Sequence, residues 1–93
     1  MLDARRHEIR WRDAAIPATA IEFRLLSAMI EHLGELVPHV ELLAAGWPGV
    51  PDPDPLWLKP HLARLREKLA AVDAPVPTAV RGVGYRLEGS VGS

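Results

Sequence analysis

The sequence has no cysteine, which excludes disulfides, zinc–thiolate sites and thiol catalysis. No apolar run approaches the ~18 residues needed to span a bilayer. Residues Met1 to Arg6 contain no apolar stretch of the kind a secretory signal requires, so a cytoplasmic protein is expected. Charge of one sign is also missing: 11 basic and 12 acidic residues leave a net charge of −1. That balance excludes a strong overall field and argues mildly against avid binding of nucleic acid by charge alone. No internal repeat is visible.

What is present is a short chain of 93 residues, 48% hydrophobic and 25% charged, which predicts one small domain over 1–93 with a packed core. A chain of this size buries roughly 60–65% of its extended surface, enough for one core with little margin. The ordered part is expected over about 7–88, with 89–93 as a fraying tail. The charges are polarised along the chain. Arg5, Arg6, Arg10 and Arg12 lie near the N-terminus, Lys59, Arg64, Arg66 and Lys68 lie together further on, and Arg81 and Arg86 lie near the end. Between Glu31 and Asp54 there are five carboxylates (Glu31, Glu35, Glu41, Asp52 and Asp54) and no Lys or Arg.

Local patterns predict the elements. Residues 7–12 alternate, with Ile9 and Trp11 on one face, as in a half-buried strand. A turn follows at 13–15, and Ile16 suits a second short strand. Thr19 to Gly34 reads as the first helix. Thr19 and Glu22 form a capping box, and Ile21, Leu25, Leu26, Met29 and Leu33 make one apolar stripe. Gly34 suits the left-handed position that ends it. A second helix is expected from about Pro38 to Ala45, with Val40, Leu43 and Ala44 inward. Pro48, Pro51, Pro53 and Pro55 make 48–55 a loop, and Asp54 before Pro55 is a good N-cap. A third helix covers about 55–72. Its Leu58, Leu62, Leu65 and Leu69 fall within a sector of about 60°, and Ala63, Arg64 and Glu67 lie opposite. Pro60 would cost about 3 kcal/mol in a helix interior, so the helix either starts late, near Trp57, or kinks. Residues 77–88 read as a β-hairpin whose turn glycines, Gly82 and Gly84, allow positive φ.

This order defines an α+β winged helix-turn-helix: N-terminal antiparallel strands, three helices and a C-terminal hairpin wing. The second helix braces the third, whose polar face fits a major groove about 12 Å wide. The hairpin carries Arg81 toward an adjacent minor groove. Arginine suits both tasks because its planar fork bonds bidentately to guanine edges and phosphates.

Four segments resemble the OmpR/PhoB-type winged-helix domain, the C-terminal effector half of many bacterial two-component response regulators. Thr19 to Leu26 (TAIEFRLL) resembles its first helix opening, and Glu41 to Trp47 (ELLAAGW) its second helix. His61 to Leu69 (HLARLREKL) is similar to its recognition helix, and Val80 to Leu87 (VRGVGYRL) to its wing. The resemblance covers about 7–88. It implies sequence-specific binding of double-stranded promoter DNA in a phosphorelay, often as tandem dimers on direct repeats. It also implies that Arg64 faces base edges, that His61, Arg66 and Tyr85 meet phosphates, and that Arg81 is the wing arginine. Lys59 and Lys68 complete the candidate DNA-binding set. The loop 48–55 matches one that contacts RNA polymerase in some members. The chain departs from the pattern where Leu56 stands in place of an early phosphate-binding arginine, Ala79 in place of a wing threonine, and Pro38 in place of a Ser or Thr cap. Members usually carry a receiver domain with a phosphorylatable aspartate, which these 93 residues do not contain.

Each candidate has a plainer reading. Arg64 and Arg66 also suit a solvated helix face, and Arg81 a charge that keeps a hairpin edge soluble. Trp57 suits packing or a base contact, and Trp47 suits the core. His61 suits a phosphate contact or a structural hydrogen bond. The arginines at 5–12 suit a solvated strand face. His32, His39 and Glu41 do not make a metal site, because His39 and Glu41 are splayed and no third ligand is placed. No Ser–His–Asp arrangement is suggested, and the glycines of the wing precede a strand rather than a phosphate-cradling helix. Neither an enzyme nor a cofactor is expected. The competing function is a winged-helix protein–protein interaction module that has lost DNA binding, pairing through the apolar Leu56–Trp57 segment or the proline loop.

Overall fold

A computed structural model describes residues 2–88. The tail expected at 89–93 lies outside the described residues. The chain opens with β1 (Leu2–Asp3), β2 (Glu8–Trp11) and β3 (Ala14–Pro17), which form an antiparallel sheet in that order. Ile9 pairs with Leu2 on one side and Ile16 on the other, and is fully buried. Ordered pairing therefore begins before residue 7, because Leu2 and Asp3 supply a first strand that periodicity cannot reveal in two residues.

Helix α1 spans Ala20–Glu31. The capping box forms as its sequence requires: Glu22 N–H donates to Thr19 Oγ1 at 3.1 Å, and Thr19 N–H donates to Glu22 Oε1 at 3.0 Å. Leu25, Leu26 and Met29 are buried in the core. The helix stops earlier than Gly34. His32 is its C-cap, and Leu33, expected on the stripe, is 40% exposed. Gly34 does adopt a left-handed φ of +82°, but its role is to turn the chain so that its N–H reaches Leu87 carbonyl at 2.9 Å.

That turn delivers a strand the sequence pattern did not announce, β4 (Leu36–Pro38), followed directly by α2 (His39–Gly46). Pro38 is the N-cap of α2 rather than a residue of its first turn. Leu42, Leu43 and Gly46 are its buried residues, whereas Val40 is 73% exposed and Ala44 is exposed. The expected inward face is thus rotated. With β4 leading into the helix, the core meets the Leu42–Leu43–Gly46 side.

Asp54 Oδ1 accepts from Leu56 N–H at 2.9 Å and caps a 3-10 turn, Pro55–Trp57, that runs into α3 (Leu58–Ala70) without a break in right-handed backbone. Pro60 therefore lies in the first turn of α3, where its missing N–H leaves no interior bond unmade. The late start is the outcome. Leu58, Leu62, Leu65 and Leu69 are all buried.

The chain ends in β5 (Pro77–Val80) and β6 (Gly84–Leu87), which pair antiparallel. The C-terminal sheet has three strands rather than two, in the order β4–β6–β5, with Val37 opposite Tyr85. Only Gly82 in this turn takes positive φ, +77°. Gly84 is required for a different reason: a Cβ there would lie 2.1 Å from the Val37 carbonyl oxygen, so only glycine lets β4 approach β6. Val37 and Leu87 close the core against the helices.

Candidate nucleic-acid interface

The leucine stripe of α3 faces inward, so its opposite side is left to solvent. Lys59, Ala63, Arg64, Arg66 and Glu67 are exposed there. Arg66 and Glu67 line a groove with Ala63, Ala70 and Val76. The wing sets Arg81 at the exposed hairpin turn, next to Val83, which is 45% exposed. Tyr85, on β6, is half-buried and meets His39 edge to face, with ring centroids 5.9 Å apart. It packs against the core.

Two candidates on α3 share an internal partner. Glu22 is 0% exposed. Its Oε1 accepts from Lys68 Nζ at 2.6 Å, and its Oε2 lies 3.6 Å from Arg64 Nε. Lys68 Nζ also donates to the Pro17 carbonyl at 3.0 Å. Lys68, a candidate DNA contact in the sequence, is thus half-buried and already bonded to α1 and β3. Burial by itself pushes the Glu22 carboxyl up. The Lys68 hydrogen bond, the Thr19 N–H and the charges of Lys68 and Arg64 outweigh it, so the pKa lies below 4.5.

Arg64 Nη2 lies 3.1 Å from His61 Nδ1. A guanidinium only donates, so Nδ1 accepts and the neutral ring carries its proton on Nε2. Burial lowers the His61 pKa below 6.5, the Arg64 charge lowers it further, and Glu22 partly opposes both. The other face of His61 meets Trp47 edge to face, with centroids 5.4 Å apart, and Trp47 meets Trp57 at 5.5 Å. Trp47 packs against the core, and Trp57 both packs on Trp47 and stays 39% exposed.

At the start of α3 the surface changes character. Trp47, Val50, Leu56, Trp57, Pro60 and His61 line an apolar hollow. Leu56 is 67% exposed, and the neighbouring loop carries Asp52 and Asp54. The N-terminal arginines sit elsewhere: Arg10 Nη1 lies 3.6 Å from Glu8 and 3.9 Å from Asp3, and Arg12 lies over the Trp11 ring at 5.4 Å. Among the described residues no three His, Cys, Asp or Glu side chains are grouped to hold a metal. No helix there is long and apolar enough to cross a membrane. Sequence reading missed Glu22 as part of this surface. The capping box had already singled it out, but its second role depends on residues far along the chain.

Strands, three helices and a basic third helix beside a hairpin wing define a winged helix-turn-helix. The chain belongs to the family described as "Transcriptional regulatory protein, C terminal", whose model matches residues 13–87. This is the OmpR/PhoB-type effector family that the sequence motifs resemble. It is similar to the transcriptional regulatory protein CreB of Escherichia coli, with 31% identity over 85 residues that make up 88% of this chain and 37% of that protein. It is similar to the sensory transduction protein RegX3 of Mycobacterium tuberculosis, with 33% identity over 90 residues, 95% of this chain and 40% of that one. The chain thus spans about two fifths of the length of these relatives. Among solved structures, the DNA-binding domain of the response regulator AdeR, in complex with an intercistronic region, superposes with a TM-score of 0.81 at 26% identity, covering 96% of this chain and 92% of that one. The C-terminal domain of the nisin resistance regulator NsrR does so with a TM-score of 0.81 at 27% identity, covering 96% and 91%.

Proposed function

We propose that this chain binds double-stranded DNA in a sequence-specific manner and regulates transcription in the cytoplasm of a bacterium. Helix α3 enters the major groove and the β5–β6 hairpin touches the adjacent minor groove. The observation that carries this reading is the division of α3 into a wholly buried leucine face and an exposed face bearing Lys59, Arg64 and Arg66. In this assignment Arg64 reads a base edge. His61, Arg66 and Tyr85 meet phosphates, Lys59 adds a further backbone contact, and Arg81 is the minor-groove arginine. Lys68 supports the surface from behind instead of touching DNA, because its ammonium already has two short bonds. Function follows from positioning, with no bond chemistry. The length of the relatives and the RegX3 description support a role as the effector part of a longer signal-transducing regulator. Pairing as a dimer on tandem sites is carried over from the family resemblance alone.

The test is fluorescence anisotropy of duplex DNA titrated with the protein across a salt series, with Arg64→Ala/Arg81→Ala beside it. The expected result is binding that weakens steeply with salt and is lost in the variant. Arg64→Ala alone should cost about 1–3 kcal/mol on the preferred site and relax specificity at one position. A folded protein that binds no duplex even at low salt overturns the proposal.

A second reading concerns the apolar hollow beside the acidic loop. Leu56 and Val50 are exposed there, 67% and 40%, which supports a protein contact, with RNA polymerase as the partner of the 48–55 loop.

A further inference from the structure

Glu22 is a buried carboxylate with both of its cationic partners on α3, and its two oxygens are used unequally. Oε1 accepts from Thr19 N–H at 3.0 Å and from Lys68 Nζ at 2.6 Å. Oε2 has no hydrogen-bond donor among the described residues, and Arg64 Nε stands 3.6 Å away, at ion-pair distance only. Lys68 is also fixed to the Pro17 carbonyl, so its ammonium ties α1, β3 and α3 together. Arg64 touches Glu22 only loosely by contrast: its one hydrogen bond among the described residues is to His61 Nδ1, at 3.1 Å, and its side chain is 54% exposed. The firm partner and the loose partner have different uses. A buried carboxylate stripped of every counter-charge is strongly destabilising. If Arg64 were its only partner, that arginine could not leave for DNA without orphaning the charge.

We propose that Glu22 is a positioning residue for DNA recognition, which sequesters Lys68 as its permanent counter-ion and so leaves Arg64 free to turn to a base. The inference rests on the DNA-binding reading above. It assigns Lys68 a second effect as well. A lysine kept off the phosphates adds no sequence-independent affinity, so discrimination between sites rests on Arg64. Freed from Glu22, the Lys68 ammonium sits on a flexible stem on the helix that carries the other cations, and it would take a phosphate.

The test uses the intact chain. In Glu22→Gln the amide oxygen still accepts from Thr19 N–H, but the charge is gone. This variant is expected to bind a random-sequence duplex more tightly at low salt, with a log–log salt slope steeper by about one phosphate contact. Its preference for a selected site over random DNA should fall. In Glu22→Gln/Lys68→Met the slope should return to the wild-type value, a restoration that a merely structural role for Glu22 does not produce. Lysine acylation of the wild-type protein read by mass spectrometry needs no variant to fold. Lys68 should react more slowly than Lys59 in the free protein, and its rate should not fall when duplex is added. A wild type that binds DNA, with an unchanged or shallower slope in folded Glu22→Gln, overturns the role of Glu22 alone. So does protection of Lys68 by DNA. A wild type that binds no duplex removes the DNA-binding reading and this inference with it.

Discussion

At the residue scale, Glu22 and His61 make the protein acid-labile in two separate windows. The Glu22 carboxyl is held below 4.5 because Lys68 and Thr19 outweigh the effect of burial. A depressed carboxylate contributes stability that is present above the unfolded pKa and lost as pH falls through the folded one. His61 is also depressed, by burial and by Arg64. The unfolded chain therefore binds the His61 proton first as pH falls through about 6.5, and stability declines there too. Denaturant midpoints measured from about pH 7.5 to 3 should fall in two steps, the first beginning near pH 6.5 and the second near pH 4.5. His61→Gln should flatten the part near pH 6.5, and Glu22→Gln the part near and below 4.5. A midpoint constant from pH 7.5 to 5 in the wild type would contradict the His61 assignment. Glu22→Ala, which removes both the cap acceptor and the Lys68 partner, should cost about 2–3 kcal/mol in the same measurement.

At the scale of the element, each helix was legible to the extent that its own sequence decides it. The capping box at Thr19 and Glu22, the Asp54 cap and the leucine stripe of α3 depend on residues two to four apart, and all three are present. The rotation of α2 was not legible, because its short apolar run offers both Val40 and Leu42, and only the β4 strand ahead of it decides which faces the core. The wing was legible as a hairpin but not as part of a three-stranded sheet. Gly84 shows the difference. Read locally it is a turn glycine, yet its constraint is the Val37 backbone. Gly84→Ala should therefore destabilise by about 3 kcal/mol, the upper part of the range for overpacking, since the clash is with main chain that cannot give way. Thermal unfolding of this variant beside Gly82→Ala checks the distinction. Gly82 has open space around it and positive φ only, so its loss should cost about 1 kcal/mol.

At the scale of the whole molecule, the fold separates two surfaces. The exposed face of α3 and the wing turn carry Lys59, Arg64, Arg66 and Arg81, while the start of α3 carries exposed Leu56 and Trp57 next to an acidic loop. Leu56→Ser should leave duplex affinity and its salt slope unchanged while lowering promoter output in a reconstituted transcription assay. Equal output from wild type and variant would remove the polymerase reading of the hollow. The small net charge of −1 bears on the same division. Acidic residues are concentrated between 31 and 54, and the basic residues of α3 follow them, so a near-neutral chain still presents a cationic face.

The sequence by itself determined the three helices in outline, the hairpin, the caps at Thr19 and Asp54 and the family motifs, because periodicity, capping and turn chemistry act between near neighbours. Tertiary structure decided the rest. The pairing of Val37 with Tyr85, the close approach at Gly84 and the bond from Lys68 to Glu22, 46 residues away, exist only once the chain has folded. The last of these changes function as well as packing. The local pattern around Lys68 marks a surface cation, and only the folded chain shows a buried carboxylate beneath it, since no local rule links residues so far apart.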